Sequence, residues 1–246
     1  SPLTSHGTPT LPPSTFSPPP TVENTHGRSY MRLRVLPNSV WVAYTLTRPG
    51  AVRPLLPPAL ELASGPLLDD EVATVRSPKL LFNAYQVESS WMRGTRLEVL
   101  VLARHRATKR YHFCVLDCLT DTLQWDPIEG VQRPNARSAV RHAPGRARVD
   151  VRTRRHAFAV DALHRRARPL APTFAIEANE ACYFRNTDVA YPMRFDAREV
   201  GAPVRELAPT RPVLNTLWAD VRSPYPSHLF VHPHAMTYDV DVASFA

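Results

Sequence analysis

A chain of 246 residues with 43% hydrophobic content can bury a core of its own, and an all-β chain of this length is commonly one folded domain. Its formal net charge of +8 rests on arginine, because Lys79 and Lys109 are the only lysines and the other 28 of its 30 basic residues are arginines. No apolar run approaches the roughly 18 residues that a membrane-spanning helix needs; with eight glycines and no P-loop, dinucleotide fingerprint or Gly-x-Ser-x-Gly elbow, neither nucleotide-dependent chemistry nor a cofactor is expected.

Residues 1–28 are rich in Pro, Ser and Thr, with the run Pro18-Pro19-Pro20, and read as an extended arm or disordered tail ahead of a single domain over 29–246. A start at Ser1 points to processing of a longer precursor, and the arm itself identifies no compartment. Tyr30 to Thr47 alternates and predicts one or two strands broken at Pro37-Asn38. Ala51 to Leu56 fits one helical turn, stopped by Pro57. Strands are expected near Glu71–Val75 and Leu80–Ser89, followed by two long strands within Gly94–Asp126 that are joined by the basic turn Arg104–Arg110. Arg146–Val151 and His156–Leu163 predict a further pair, and Phe174–Arg185, Met193–Phe195 and Leu229–Val242 the remaining strands. The one long helix candidate is Pro212–Val221, where Val213, Leu214, Leu217, Trp218 and Val221 recur at helical spacing.

The hairpin in the middle of the chain is the most informative segment. Strict alternation puts Leu97, Val99, Val101 and Ala103 on one face of its first strand, and Arg96, Glu98, Leu100, Leu102 and Arg104 on the other. In the return strand it groups Tyr111, Phe113, Val115 and Asp117 against His112, Cys114, Leu116 and Cys118. Strands apolar on both faces belong to a barrel or to a sheet held between layers. The three cysteines, Cys114, Cys118 and Cys182, sit in apolar strand contexts, read as inert core thiols and favour a reducing compartment, the compartment itself being unknown.

Two segments resemble the acetoacetate decarboxylase-like superfamily. One is Arg53–Leu62, RPLLPPALEL, and the other is the hairpin, with Arg96 and Glu98 in its first strand and Phe113–Asp117 closing its second. The resemblance implies a mainly β fold, a β-barrel or cone with few short helices and an extended N-terminal arm, enclosing an apolar pocket. In that family a lysine, its pKa lowered by desolvation and a neighbouring cation, forms a Schiff base with a β-keto acid. The family presents this lysine after a Gly-aromatic-Pro turn that follows the hairpin. The corresponding segment here is Gly130–Arg137, GVQRPNAR, where Asn135 or Ala136 stands instead, and neither can form an imine. Lys79, after Pro78, and Lys109, in the hairpin turn, are not placed as interior nucleophiles.

The expected function is therefore a lysine-independent pocket enzyme of lyase, isomerase or cyclase type, acting on a small carbonyl, carboxylate or polyketide-like compound. Arg96 would hold a carboxylate or enol and Glu98 would move a proton, with Tyr85, His112 and Asn135 as further pocket residues. The alternative is that Arg96 and Glu98 form a structural ion pair at a barrel end. The missing lysine also leaves open a catalytically inactive accessory subunit, docking on a larger protein complex through its Pro-rich arm and the Arg-rich block over Arg133–Arg168. A homo-oligomer is also open. That block lacks the interleaved aromatics of a single-strand platform, so nucleic acid is not an expected partner. His228, His232 and His234 share a strand face if extended, but Pro233 argues against a regular strand there and no metal is expected. Asp117, Asp121, Asp126 and Glu129 form an acidic group in which ordinary turn chemistry competes with acid-base chemistry.

Overall fold

The computed structural model describes residues 22–23, 29–68, 77–89, 93–126, 130–171, 181–185, 190–195 and 202–241. The predicted strand near Glu71–Val75 and nearly all of the predicted arm lie outside them. Strands β1 (Val22–Glu23), β2 (Ser29–Val35) and β3 (Ser39–Thr45) come first, and Asn38 at φ 73° makes the break predicted at Pro37-Asn38. The helical turn follows as α1 (Pro49–Val52), a 3-10 turn over Arg53–Leu55, and β4 (Leu60–Leu62). The long strands β5 (Lys79–Glu88), β6 (Arg93–His105) and β7 (Tyr111–Thr120) form the central meander, with the small pair β8 (Gln124–Asp126) and β9 (Gly130–Gln132) beyond it. Next come β10 (Arg137–Ala143), β11 (Arg146–Arg152), β12 (Ala157–Arg168), β13 (Ala181–Phe184) and β14 (Ala190–Phe195). The last are β15 (Val204–Pro209), β16 (Leu214–Asn215), β17 (His228–His232) and β18 (Met236–Asp241).

Strand pairing closes a barrel. β2, β18, β14, β13, β7, β6 and β5 each pair with the next, and β5 returns to β2 through Arg34↔Glu88 and Val35↔Val87. All these pairs are antiparallel except β13 with β7. This ring of seven strands is close to the size, about eight, at which side chains fill the interior or one small ligand is held. Beyond β5 the sheet runs on through β3, β17, β15, β12, β11 and β10, and β10 comes back against β5, β6 and β7. The meander therefore serves two compartments, which is why its strands are apolar on both faces.

Burial identifies the inner face of the barrel. Val35, Tyr85, Val87 and Met236 pack together, while Arg34 and Glu88, on the neighbouring rung and so on the reverse face, form a solvent-exposed ion pair at 2.9 Å. The reverse face of β5–β7 meets the curled sheet in the main core. There Phe82 is fully buried between Tyr44, edge-on at 5.5 Å, and Phe158, stacked at 5.6 Å. A second core of Trp41, Leu81, Leu100, Leu102, Phe113 and Phe230, joined by Leu67 and Leu68, forms the floor of the barrel. No helix among the described residues is long and apolar enough to cross a membrane.

Two sequence expectations fail for tertiary reasons. Pro212–Val221 is no helix: β16 pairs with β12, and a turn with Trp218 at φ 54° follows. The buried Arg222 guanidinium lies 4.1 Å over the Tyr44 ring and donates to the Asn215, Leu217 and Ser223 carbonyls. Those carbonyls are thereby satisfied outside a helix, while Leu217 and Val221 still reach the core. The single strand expected over Leu229–Val242 is divided into β17 and β18 around Pro233, which has no N–H for a ladder. Strand β10 was not predicted, because only Val140 of RSAVRHA is buried and the apolar period is missing.

The open end of the hairpin is tightly closed. A Cβ on Gly94 would stand 2.6 Å from Thr122 Cβ and 2.7 Å from Asp121 Oδ1, the atom that accepts the Thr95 N–H at 2.7 Å. Gly94→Ala is expected to destabilise the fold by about 1–3 kcal/mol, as overpacking does. A thermal melt superimposable on that of the parent chain would refute this.

Candidate active site in the barrel lumen

A bulge decides which side chains enter the lumen. Val99 pairs with Asp117 but Leu100 pairs with Val115, so Leu116 is an extra residue in β7. Past that point strict alternation breaks. Cys118, not Asp117, stands opposite Glu98 on the inner face, and Asp117 is turned to the other side with its carboxylate accepting the Cys118 N–H at 2.9 Å. The grouping of Asp117 with Val115, and of Cys118 with Cys114, is thus corrected. A second carboxylate is kept away from Glu98.

The lumen then holds a polar group in apolar surroundings. Tyr85 and Arg96 face each other across β5 and β6, as do Asn83 and Glu98. The Tyr85 hydroxyl donates to Glu98 Oε1 at 2.7 Å. One step inward along β6 lies Leu100, part of the floor. Arg96 and Glu98 are partly exposed on this inner face. Burial pushes the Glu98 carboxyl above the ordinary carboxylate range, against the opposing pull of Arg96 and of the Tyr85 hydrogen bond. Burial, and then the Glu98 charge, drives the Tyr85 hydroxyl well above its usual range, so it stays a donor. For Arg96, burial works against the charge, but Tyr85, Cys118 and Glu98 more than restore it. The site thus offers a fixed cation, an acid whose proton is retained to higher pH, and a phenol donor.

Sequence reasoning missed Asn83, and it read Cys118 and Cys182 only as inert core thiols, although both lie close enough to Glu98 to feel its charge. Asn83 is buried directly opposite Glu98, and its Oδ1 has no hydrogen-bond partner. Its position on the Tyr85 face of β5 was the available signal. Burial pushes the Cys118 thiol up to about 12 and the Cys182 thiol well above its ordinary range, so both are protonated and poor nucleophiles at neutral pH.

Other candidates lie elsewhere. His112 pairs with Ala103 on the opposite face of the hairpin, five residues along β6 from Glu98, roughly 17 Å by strand rise, and its ring lies 5.5 Å from that of Tyr183. It does not join Arg96 and Glu98. Asn135 is exposed and spends its amide on β7: Nδ2 donates to the Cys118 carbonyl at 2.9 Å and Oδ1 accepts the Thr120 N–H at 2.8 Å. It clamps the segment before β10 to the strand beside the lumen and presents no group inward. Lys79 is buried, with Nζ donating to Thr45 Oγ1 at 3.1 Å, but it lies six residues from Tyr85 along β5, roughly 20 Å. Lys109 is exposed at φ 61° in the β6–β7 turn.

The histidines near the C-terminus do not converge. His228 and His232 are four residues apart on β17, about 13 Å by strand rise. His228 Nδ1 lies 2.9 Å from Ser227 Oγ, and His232 Nδ1 lies 3.2 Å from the His234 carbonyl oxygen. Among the described residues no group of three or more His, Cys, Asp or Glu side chains is arranged to hold a metal ion. In the acidic group, Asp117 and Asp121 each accept a backbone N–H, the role expected of turn chemistry.

No family model matches the chain, and no curated protein matches it significantly. Solved structures do. The enduracididine biosynthesis enzyme MppR, in complex with the condensation product of pyruvate and imidazole 4-carboxaldehyde, superposes with a TM-score of 0.53 at 13% identity, over 92% of this chain and 96% of that one. The same enzyme in complex with pyruvate gives a TM-score of 0.52 at 14% identity, over 93% and 91%. Acetoacetate decarboxylase from Legionella pneumophila subsp. pneumophila str. Philadelphia 1 aligns over 92% of this chain and 90% of its own at 14% identity, with a TM-score of 0.49. With the closed, mainly β barrel, the match to MppR establishes that this chain has the acetoacetate decarboxylase-like fold.

Proposed function

We propose that the lumen binds a small 2-oxo or 3-oxo carboxylate and promotes lyase-type or isomerase-type chemistry by proton transfer, without a lysine imine. The observation that carries this reading is the Glu98 carboxyl, raised by burial, hydrogen-bonded to Tyr85 and facing Asn83 beside Arg96. A buried carboxylic acid of raised pKa suits general acid-base work near neutral pH. MppR, which shares the fold, forms a complex with pyruvate, which makes a 2-oxo acid the first ligand to test.

The Arg96 guanidinium would take the ligand carboxylate, because its planar fork matches two oxygens and its charge is retained. Glu98, as carboxylate, would accept a proton from the carbon next to the carbonyl. The C–H electron pair becomes the enolate, and Tyr85 donates toward the oxygen on which charge develops. Returning the proton to carbon or to oxygen completes an isomerisation, and loss of a leaving group from the adjacent carbon completes an elimination. Asn83 Oδ1 would accept a hydroxyl or N–H of the ligand. The apolar floor beside Glu98 would keep water from that side of the ligand, which would strengthen these interactions.

The test needs no knowledge of the natural substrate. The chain is incubated with pyruvate in D2O, and loss of the methyl proton signal is followed by NMR. Parallel samples are treated with borohydride and weighed intact. Accelerated exchange without a borohydride-stable adduct is expected. An adduct would show imine chemistry and remove the lysine-independent reading; neither exchange nor ligand-observed binding by pyruvate or acetoacetate would remove the enzyme.

A further inference from the structure

The outer face of β10, β11 and β12 is independent of the lumen and carries an unusual charge arrangement. Register places Arg137 directly opposite Arg152, and Arg141 directly opposite Arg148. Like charges facing each other across an antiparallel pair destabilise it. Asp161 is committed to Arg146, by two hydrogen bonds at 2.6 and 2.7 Å, and reaches Arg148 at 3.4 Å; Asp150 holds Arg152 at 2.8 Å. Among the described residues no carboxylate pairs with Arg137, Arg141 or Arg211, all of which line a groove of about 550 Å³ on this face.

The shape of the groove follows from the rung between the two arginine pairs. That rung runs Ala139, Asp150, Ala159 and Leu214, so its floor is low where the alanines stand. The arginine rungs are four residues apart, about 13 Å along the strands. Leu214 ends the middle rung at 43% exposed, and Leu163, beside Arg146, is 42% exposed. These are two of the three exposed large apolar side chains among the described residues.

We propose that this face docks an acidic, extended protein segment whose carboxylates meet the Arg137 and Arg141 rungs and whose apolar side chains cover Leu214 and Leu163. The combination selects a protein over other polyanions. Guanidinium groups match phosphate as well as carboxylate geometry, but a phosphodiester backbone has nothing to lay on exposed leucines, and among the described residues the groove shows no aromatic on which a base would stack. Arginine with apolar neighbours is the composition of a protein interface, where desolvated anchors contribute most of the affinity. Charge complementarity sets the sign of the partner and the leucines set its class.

The experiment uses the full chain and fluorescent probes of equal charge: a peptide alternating glutamate and leucine, a glutamate homopolymer and an RNA duplex, with phosphatidylserine vesicles as a fourth sample. Anisotropy should show the alternating peptide binding at least tenfold more tightly than the homopolymer. Arg137→Gln with Arg141→Gln should weaken it tenfold or more, as should Leu214→Ser alone. All these positions are exposed or nearly so, and removing like-charged pairs should leave Tm unchanged or raised, so lost binding will not reflect unfolding. The proposal is overturned if the homopolymer binds as tightly, if RNA or vesicles bind more tightly than the peptide, if Leu214→Ser has no effect, or if nothing binds.

Discussion

Glu98→Gln is expected to lower the rate of pyruvate proton exchange by about 10²–10⁴-fold, the usual contribution of a positioned acid-base group, while leaving the chain folded. Glutamine keeps the length and shape of the side chain, and its carbonyl oxygen can still accept from the Tyr85 hydroxyl, now 2.7 Å from Glu98 Oε1. It cannot accept a proton from carbon. The pH profile adds an independent check. The working form is the carboxylate, so exchange by the parent chain should rise with pH through the Glu98 pKa, and burial places that inflection above the ordinary carboxylate range. In Glu98→Gln the inflection should vanish along with the rate. If the Arg96–Glu98 pair is only structural, the substitution will shift Tm and leave exchange where it was, which would remove Glu98 from the mechanism.

The largest stability effect is expected at Phe82. Its ring is wholly buried where β5 meets the curled sheet, held between Tyr44 and Phe158. Phe82→Ala removes the transfer free energy of the ring and leaves a cavity that two fully buried aromatic neighbours cannot easily fill, a cost of about 3–5 kcal/mol. For a chain of this size that lowers Tm by roughly 10 °C, given about 2–4 °C per kcal/mol. Phe82→Leu should cost much less, because most of the volume stays. A loss below about 1 kcal/mol for Phe82→Ala in denaturant unfolding would show that the two sheets do not share this core. Phe82 lies on the reverse side of the strand that carries Asn83 and Tyr85. Below its melting temperature the variant should therefore keep the exchange reaction, separating stability from chemistry.

The two effects probe the opposite faces of one meander, and the same geometry explains the low sequence identity to proteins of like fold. MppR matches over nearly the whole chain at 13–14% identity. A barrel needs alternating apolar positions and a register that closes, and many sequences meet both conditions. The interior polar groups are where chemistry is decided. Here both lysines stand away from Glu98, and the Asn135 amide is bound to β7 backbone.

Much of this was legible locally. Alternation along β6 puts Arg96 and Glu98 on one face with Leu100 and Leu102, and the structure keeps that grouping because β6 itself is regular. The break at Asn38, the turn after Arg48 and the meander follow from Pro, Asn and period-two patterns that act over a few residues. By itself, then, the sequence determined that the chain is mainly β, that its central strands are covered on both sides, and that a cation and a carboxylate share a face. Tertiary structure decided the rest. The extra residue Leu116 exchanges Asp117 for Cys118 in the lumen, and a bulge is visible only against its partner strand. Pairing of β16 with the distant β12 overrides the helical spacing of Pro212–Val221, and Arg222 takes the freed carbonyls of Asn215 and Leu217. Asn83 becomes a candidate site residue only because register sets it across from Glu98, and His112 stands apart from Glu98 because it belongs to the reverse face. Side-chain period is a property of one strand, whereas register, closure and the identity of a covering layer belong to pairs of strands distant in sequence.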